Sequence, residues 1–166
     1  MKFRALNEST NPTYIFRGVG DNHNPSEDYF GGKFFSDNPM DASNYGDMIE
    51  VFMLNGGNLY KGECSVEYCQ QKDVMFYNYP IIRKISGGRC ECLDDAYENL
   101  LLNGEDPNLG LAIFQYVARL ELEKDNYQGA EWSYEDDLIP HQYQIWDMSV
   151  LTHTETLSEY DANKKY

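Results

Sequence analysis

The chain has 166 residues, a length that suits one domain better than two. Its 13 Lys and Arg residues stand against 28 Asp and Glu residues, which gives a formal net charge of −15. Such an acidic surface repels phosphate groups, so nucleic acid and anionic membranes are excluded as direct partners. Hydrophobic residues make up 42% of the chain, enough for a folded core. No apolar run approaches the ~18 residues that a membrane span needs.

The first residues are not followed by the apolar stretch of a signal peptide. We therefore expect a cytoplasmic protein, located in the cytoplasm of the host cell if a phage encodes it. The four cysteines are then expected to be reduced thiols. Their spacing does not match a zinc knuckle and the three histidines lie far from them, so ordinary thiols are favoured over a metal site. The cysteines are Cys64, Cys69, Cys90 and Cys92.

The first part of the chain favours short strands around one small helix. β-Branched and aromatic residues predict strands over 14–17, 33–36 and 48–54. Between the last two strands, Asp37 or Asn38 can cap a helix that has Pro39 in its first turn and runs to Tyr45. The sequence Asn-Gly-Gly-Asn after the third strand predicts a turn.

The second part favours two helices followed by two strands. Apolar residues with helical spacing predict a helix that ends at Gly104, and Asp106 with Pro107 opens the next helix. The apolar face of the first helix consists of Leu93, Ala96, Tyr97 and Leu100, and the buried stripe of the second of Leu109, Ile113, Tyr116, Val117 and Leu120. Strands are predicted over 130–134 and 142–146, with an acidic loop between them.

This order of elements predicts an α+β fold, in which helices pack on a mostly antiparallel sheet. We expect one domain over residues 1–151. Residues 152–166 are polar and lack periodicity, which predicts a frayed tail or a short surface helix.

The chain carries no phosphate-binding loop, dinucleotide fingerprint, hydrolase elbow or zinc-protease motif. Arg17 ends a predicted strand directly before Gly18, where a phosphate or ribose could approach the backbone. Tyr45 lies on the neighbouring helix, where its ring could stack on a flat ligand. The residues alone favour a plainer reading, with a surface arginine, core aromatic rings, and Gln142 and Gln144 facing solvent.

Two N-terminal segments resemble the ADP-ribosyltransferase family. Residues 14–18, Tyr-Ile-Phe-Arg-Gly, are similar to the family's opening strand, where an Arg or His before a Gly anchors NAD. Residues 32–46 are similar to the strand and helix that hold the nicotinamide. The family's aromatic strand position falls on Phe34, its small strand-end residue on Ser36, and its stacking tyrosine on Tyr45.

A third segment is similar to the family's closing hairpin. It comprises residues 126–130 and 141–147, where the family carries a catalytic Glu on a strand. Gln142 occupies that position, and it can hydrogen-bond a ribose hydroxyl but brings no negative charge. A carboxylate from residues 131–137 could supply the missing charge.

The resemblance implies a split antiparallel sheet and an NAD-dependent mono-ADP-ribosyltransferase that modifies a protein target. The target would have a basic surface, and a phage or mobile-element effector acting on a host factor would fit the small, acidic chain. Arg17 and Gln142 would be the catalytic residues, with Arg17 also gripping the ribose or pyrophosphate. The remaining NAD-binding residues would be Gly18, Phe34, Ser36 and Tyr45.

A second hypothesis for the function involves no catalysis. A net charge of −15 on a small domain can imitate the phosphate field of nucleic acid and occupy a basic groove. The chain would then be an acidic, non-enzymatic inhibitor that binds a basic nucleic-acid-binding protein.

Overall fold

The computed structural model describes residues 12–20, 31–134 and 141–166. Within these ranges, seven strands form one sheet in the order β4-β5-β6-β2-β1-β3-β7, in which β4 and β5 are parallel and the other neighbours antiparallel. Helices accompany the sheet, so the predicted α+β class is confirmed. The strands are β1 Thr13–Val19, β2 Lys33–Ser36, β3 Met48–Leu54, β4 Leu59–Gly62, β5 Gly129–Trp132, β6 Gln142–Ile145 and β7 Leu151–Ser158.

Two of the predicted helices begin at the predicted caps. Asn38 accepts a hydrogen bond from the backbone N–H of Asp41 at 2.9 Å, and Asp106 accepts one from Leu109 at 3.2 Å. A proline follows each cap, where its missing N–H costs nothing. The helices are α1 Pro39–Ala42, α2 Ser65–Gln71, α3 Pro80–Ile85, α4 Leu93–Asp95, α5 Pro107–Lys124 and α6 Glu159–Lys165. A 3₁₀ turn, Ser43–Tyr45, extends α1, and a π-helix, Ala96–Leu102, continues α4.

The largest core lies between α5, the shorter helices α2 to α4 and one end of the sheet. The predicted stripe of α5 is confirmed for Leu109, Ile113 and Val117, which are buried. Tyr116 and Leu120 are only half-buried, and their predicted burial is wrong. Phe114, Ala118 and Leu122 of α5 are buried as well, because helices and the sheet both cover this helix.

The two faces of the sheet carry different clusters, as the alternation of strand side chains requires. On one face, Phe16 packs with Ala42 of α1 and Ala162 of α6, and Trp132 packs in the cluster that includes α5. We call this the helix face. On the other face, Ile15, Phe35, Phe52, Tyr143, Ile145 and Val150 form a separate cluster.

The sheet consists of two groups of strands that are joined at one position. β1 pairs with β3 over seven residues and β2 pairs with β6 over four, but β1 and β2 pair only through Phe16 and Ser36. We call this pair the junction. It separates the group β4-β5-β6-β2 from the group β1-β3-β7 and leaves Ser36 at the boundary between them.

The expectation of a frayed tail is wrong for residues 152–158. They belong to β7, which pairs along the whole of β3 at the edge of the sheet. The polar sequence concealed this strand because half of its residues are exposed and none is fully buried. The short helix expected in this region is α6, which buries Ala162 against the helix face.

Within the described ranges, none of the helices combines the length and apolar character needed to cross a membrane.

Gly18→Ala should destabilise the fold by about 1–3 kcal/mol, because an added Cβ would overlap α1. At this position the Cβ would lie 2.0 Å from the carbonyl oxygen of Ala42. Gly87→Ala is the matched control, since nothing lies within 4 Å of an added Cβ there. At a positive φ it should cost only about 1 kcal/mol. Urea unfolding measures both changes, and equal losses would contradict the predicted overlap.

Candidate functional site

Ser36 and Gln142 lie side by side at the junction. The antiparallel register of β2 and β6 pairs these two residues, so their side chains point to the same face. The junction pairs Ser36 with Phe16, which places both Ser36 and Gln142 on the helix face. The two residues, both assigned to NAD by the resemblance, are therefore neighbours on one face of the sheet.

Two further polar side chains hold the amide of Gln142. Its Oε1 accepts a hydrogen bond from the hydroxyl of Tyr134 at 3.3 Å and a long one from Nε2 of Gln115 at 3.5 Å. Gln115 projects from α5 and is 1% exposed, and its own Oε1 has no partner among the described residues. These contacts fix the position of Gln142 from two sides.

Tyr45 belongs to the same group of side chains. It ends the 3₁₀ turn after α1 and is 40% exposed. Burial is the main cause that raises the pKa of Tyr134 to about 12, and smaller contributions come from Cys64 and Tyr45. The turn that carries Tyr45 packs on the helix face, where the backbone nitrogen of Gly46 lies 3.0 Å from a Cβ added at Gly18. We call the group Ser36, Tyr45, Gln115, Tyr134 and Gln142 the polar cluster.

Arg17 does not point into the polar cluster. It lies between Phe16 and Gly18 on β1, so its side chain projects to the face opposite theirs. There it pairs with Glu50 of β3, with 3.8 Å between guanidinium nitrogen and carboxylate oxygen. Strand alternation therefore places the two residues expected to be catalytic, Arg17 and Gln142, on opposite faces of the sheet.

Gly18 and Phe34 differ from their predicted roles as well. The space beside Gly18 is filled by the backbone of Ala42 and Gly46, so the missing side chain serves the packing of α1 on β1 rather than access for a ligand. Phe34 points to the helix face from β2, opposite Gln144, but it is only 5% exposed. Its ring is a core contact.

The polar cluster contains no charged residue. Glu131 was a candidate for the missing carboxylate, but it is paired with Tyr143 on the other face and accepts a hydrogen bond from it. Burial, followed by the charges of Glu131 and Asp37, raises the pKa of Tyr143 to about 12. Residues 135–137, the other acidic candidates, lie outside the described residues.

Sequence reasoning missed three side chains that shape this region. Gln144 is fully buried rather than solvent-facing: it accepts from Trp132 Nε1 at 2.9 Å and donates to the carbonyl oxygens of Gly31 and Gln115 at 2.8 Å each. Gln115 and Tyr134 were not singled out. A signal for Gln115 exists, because it is a polar residue on the apolar stripe of α5.

The cysteines do not gather into a binding site in the part of the chain that the structure describes, where no three metal-ligating side chains cluster. Cys64 caps α2, with its sulfur 3.5 Å from the backbone nitrogen of Glu67. Cys69 and Cys90 are buried, and burial raises the pKa of both thiols. These two are core residues.

We expect the free energy of unfolding to fall as the pH rises above about 10. The folded-state pKa values of Tyr134 and Tyr143, about 12, exceed the ordinary value of 10. The stability these neutral phenols contribute is therefore complete below pH 10 and is lost as the pH rises towards 12. Urea titrations across this range should show a smaller loss for Tyr134→Phe than for the exposed control Tyr160→Phe. An identical pH dependence would contradict the burial of Tyr134.

Comparisons with known proteins give one distant likeness. No protein-family model matches the chain, and no curated protein sequence matches it. The structure is similar to a solved structure titled "Crystal structure of an anti-CRISPR protein", at 15% sequence identity and a TM-score of 0.41. The likeness covers 89% of this chain and 97% of the other chain. At this distance it bears on neither function nor mechanism.

Proposed function

We propose that the chain is an NAD-dependent mono-ADP-ribosyltransferase that modifies a protein, and that it binds the nicotinamide end of NAD at the junction. The observation that carries the proposal is the pairing of Ser36 with Gln142 beside the junction, with the turn that carries Tyr45 packed on the same face. A further support is the resemblance of the three sequence segments to the transferase family. The finer fold assignment, a split transferase-type sheet, belongs to the same proposal and is supported by the single Phe16–Ser36 pair.

The neutral chemistry of the polar cluster suits nicotinamide riboside. An exposed phenol ring such as Tyr45 offers a flat surface on which an aromatic ring can stack. The hydroxyl of Ser36 and the amide of Gln142 can hydrogen-bond the ribose hydroxyls. The bond from ribose C1′ to the nicotinamide nitrogen breaks and its electron pair leaves with nicotinamide. A nucleophilic atom of the target then bonds C1′ and releases its proton to water.

Gln142 also limits the proposed rate. Cleavage builds positive charge on the ribose, which a carboxylate stabilises and an amide does not. Arg17 adds nothing on this face, and it can contact the same NAD molecule only if the dinucleotide extends past the junction to the other side. We therefore propose slow, single-unit transfer rather than chain elongation.

A second candidate, the acidic binder without chemistry, is favoured by the distribution of charge. Seven described Lys and Arg side chains are paired with carboxylates within 4.0 Å. Residues 91–106 contain six carboxylates and no Lys or Arg. The local pairing of cations leaves excess negative charge to face a basic partner.

Gln142→Glu should raise the rate of nicotinamide release from NAD by about 10²–10³-fold, by analogy with other electrostatic groups that act on a transition state. Tyr134 and Gln115 can donate to a carboxylate in the same position. Gln70→Glu, on the exposed side of α2, is the charge-matched control and should leave the rate unchanged. Quantified nicotinamide release measures both rates.

Tyr45→Ala should weaken the binding of NAD, as measured by calorimetry, because it removes the ring on which nicotinamide is proposed to stack.

The same assay separates the two candidates. Absence of NAD binding to the wild-type chain, together with no gain of nicotinamide release in Gln142→Glu, would overturn the transferase proposal. Salt-sensitive binding to a basic protein under those conditions would favour the acidic binder. Labelled NAD that transfers to a protein, and fails to transfer with Tyr45→Ala, would support the enzyme.

A further inference from the structure

Two aromatic side chains stand exposed on the connection between α2 and α3. Phe76 is 70% exposed and Tyr77 is 57% exposed. Large apolar side chains are costly to leave in water, so an adjacent exposed pair is a feature that needs explanation.

The connection that carries these rings is held in place. Val74 and Met75, directly before them, are 1% and 9% exposed and belong to the largest core. The backbone N–H of Asp94 donates to the carbonyl oxygen of Met75 at 2.9 Å, which ties the connection to the start of α4. Phe76 and Tyr77 are therefore presented on an anchored turn, beside the first residues of α4.

The segment that borders the two rings is acidic. Asp94 and Glu98 lie one helical turn apart, and Asp95 is next to the first of them. None of the three forms an ion pair with another residue of the described ranges. Glu91 and Asp106, by contrast, are paired with Arg83 and Arg89.

We propose that Phe76, Tyr77, Asp94, Asp95 and Glu98 form a docking surface for an arginine-rich patch of a partner protein. Carboxylates attract a basic surface, and an arginine guanidinium stacks on aromatic rings better than a lysine ammonium does. This proposal rests on the proposed function in one respect: the partner that docks here would be the basic protein target. Its residues are not those of the polar cluster, so binding here needs neither NAD nor catalysis.

The test uses two synthetic peptides of equal length and charge, one with arginine and one with lysine at the basic positions. Fluorescence anisotropy without NAD should show about two- to fivefold tighter binding of the arginine peptide, the range of an exposed cation–π contact. The double variant Phe76→Ser with Tyr77→Ser should lose this preference. Tyr160→Ser, which removes a ring that is 73% exposed on α6, is the matched control and should retain it.

A second pair of variants tests the acidic border. Asp94→Asn with Glu98→Gln should weaken both peptides, and more than Glu159→Gln with Asp161→Asn, which removes the same charge from exposed positions of α6. Equal weakening by the two pairs would show that only net charge matters and would overturn the surface. Equal affinity of the wild-type chain for both peptides, a preference that survives loss of the two rings, or no binding would overturn it as well. Because these peptide experiments contain no NAD, their results do not bear on the transferase proposal, which is tested by nicotinamide release.

Discussion

The position of Ser36 is the constraint on which the candidate site depends. One backbone pair with Phe16 ties β2 to β1, and the register of β2 on β6 sets Ser36 beside Gln142. The polar cluster forms around this point because α1 packs through Gly18 on one group of strands and α5 covers the other. A slip of one residue in the β2–β6 register would place Ser36 and Gln142 on opposite faces of the sheet.

Local signals in the sequence were sufficient for much of the fold. Asn38, Pro39, Asp106 and Pro107 start two helices through hydrogen bonds and φ preferences that act within one turn. Strands 33–36 and 48–54 were predicted with the bounds observed. The short helices α2 and α3 were missed, since they are stabilised by tertiary packing around a thiol cap and one proline rather than by a long apolar period.

The site was less predictable than the fold, for a physical reason. A motif gives the order of residues, but the face to which each side chain points depends on strand register. Arg17 precedes Gly18 in the resemblance to the transferase family, and alternation along β1 turns it away from Gln142. Gln115 lies 27 residues before Gln142 in the sequence, and the packing of α5 brings it there. Tyr134 follows β5, whose pairing with β6 places it beside Gln142. The polar cluster and the docking surface around Phe76 are separate features. The polar cluster suits a small aromatic ring, and the docking surface suits a basic protein.

The most direct test of the account is the response of the side-chain amides to nicotinamide. In two-dimensional NMR of the ¹⁵N-labelled chain, nicotinamide should shift the side-chain N–H resonances of Gln142 and Gln115, assigned by substitution. The side-chain N–H resonances of Gln128 should stay unchanged. This residue lies outside the polar cluster, and its Nε2 donates a hydrogen bond to Asp147 at 3.0 Å. Unchanged resonances of Gln142 and Gln115 at saturating nicotinamide, or equal shifts of all three, would contradict a nicotinamide site at the junction.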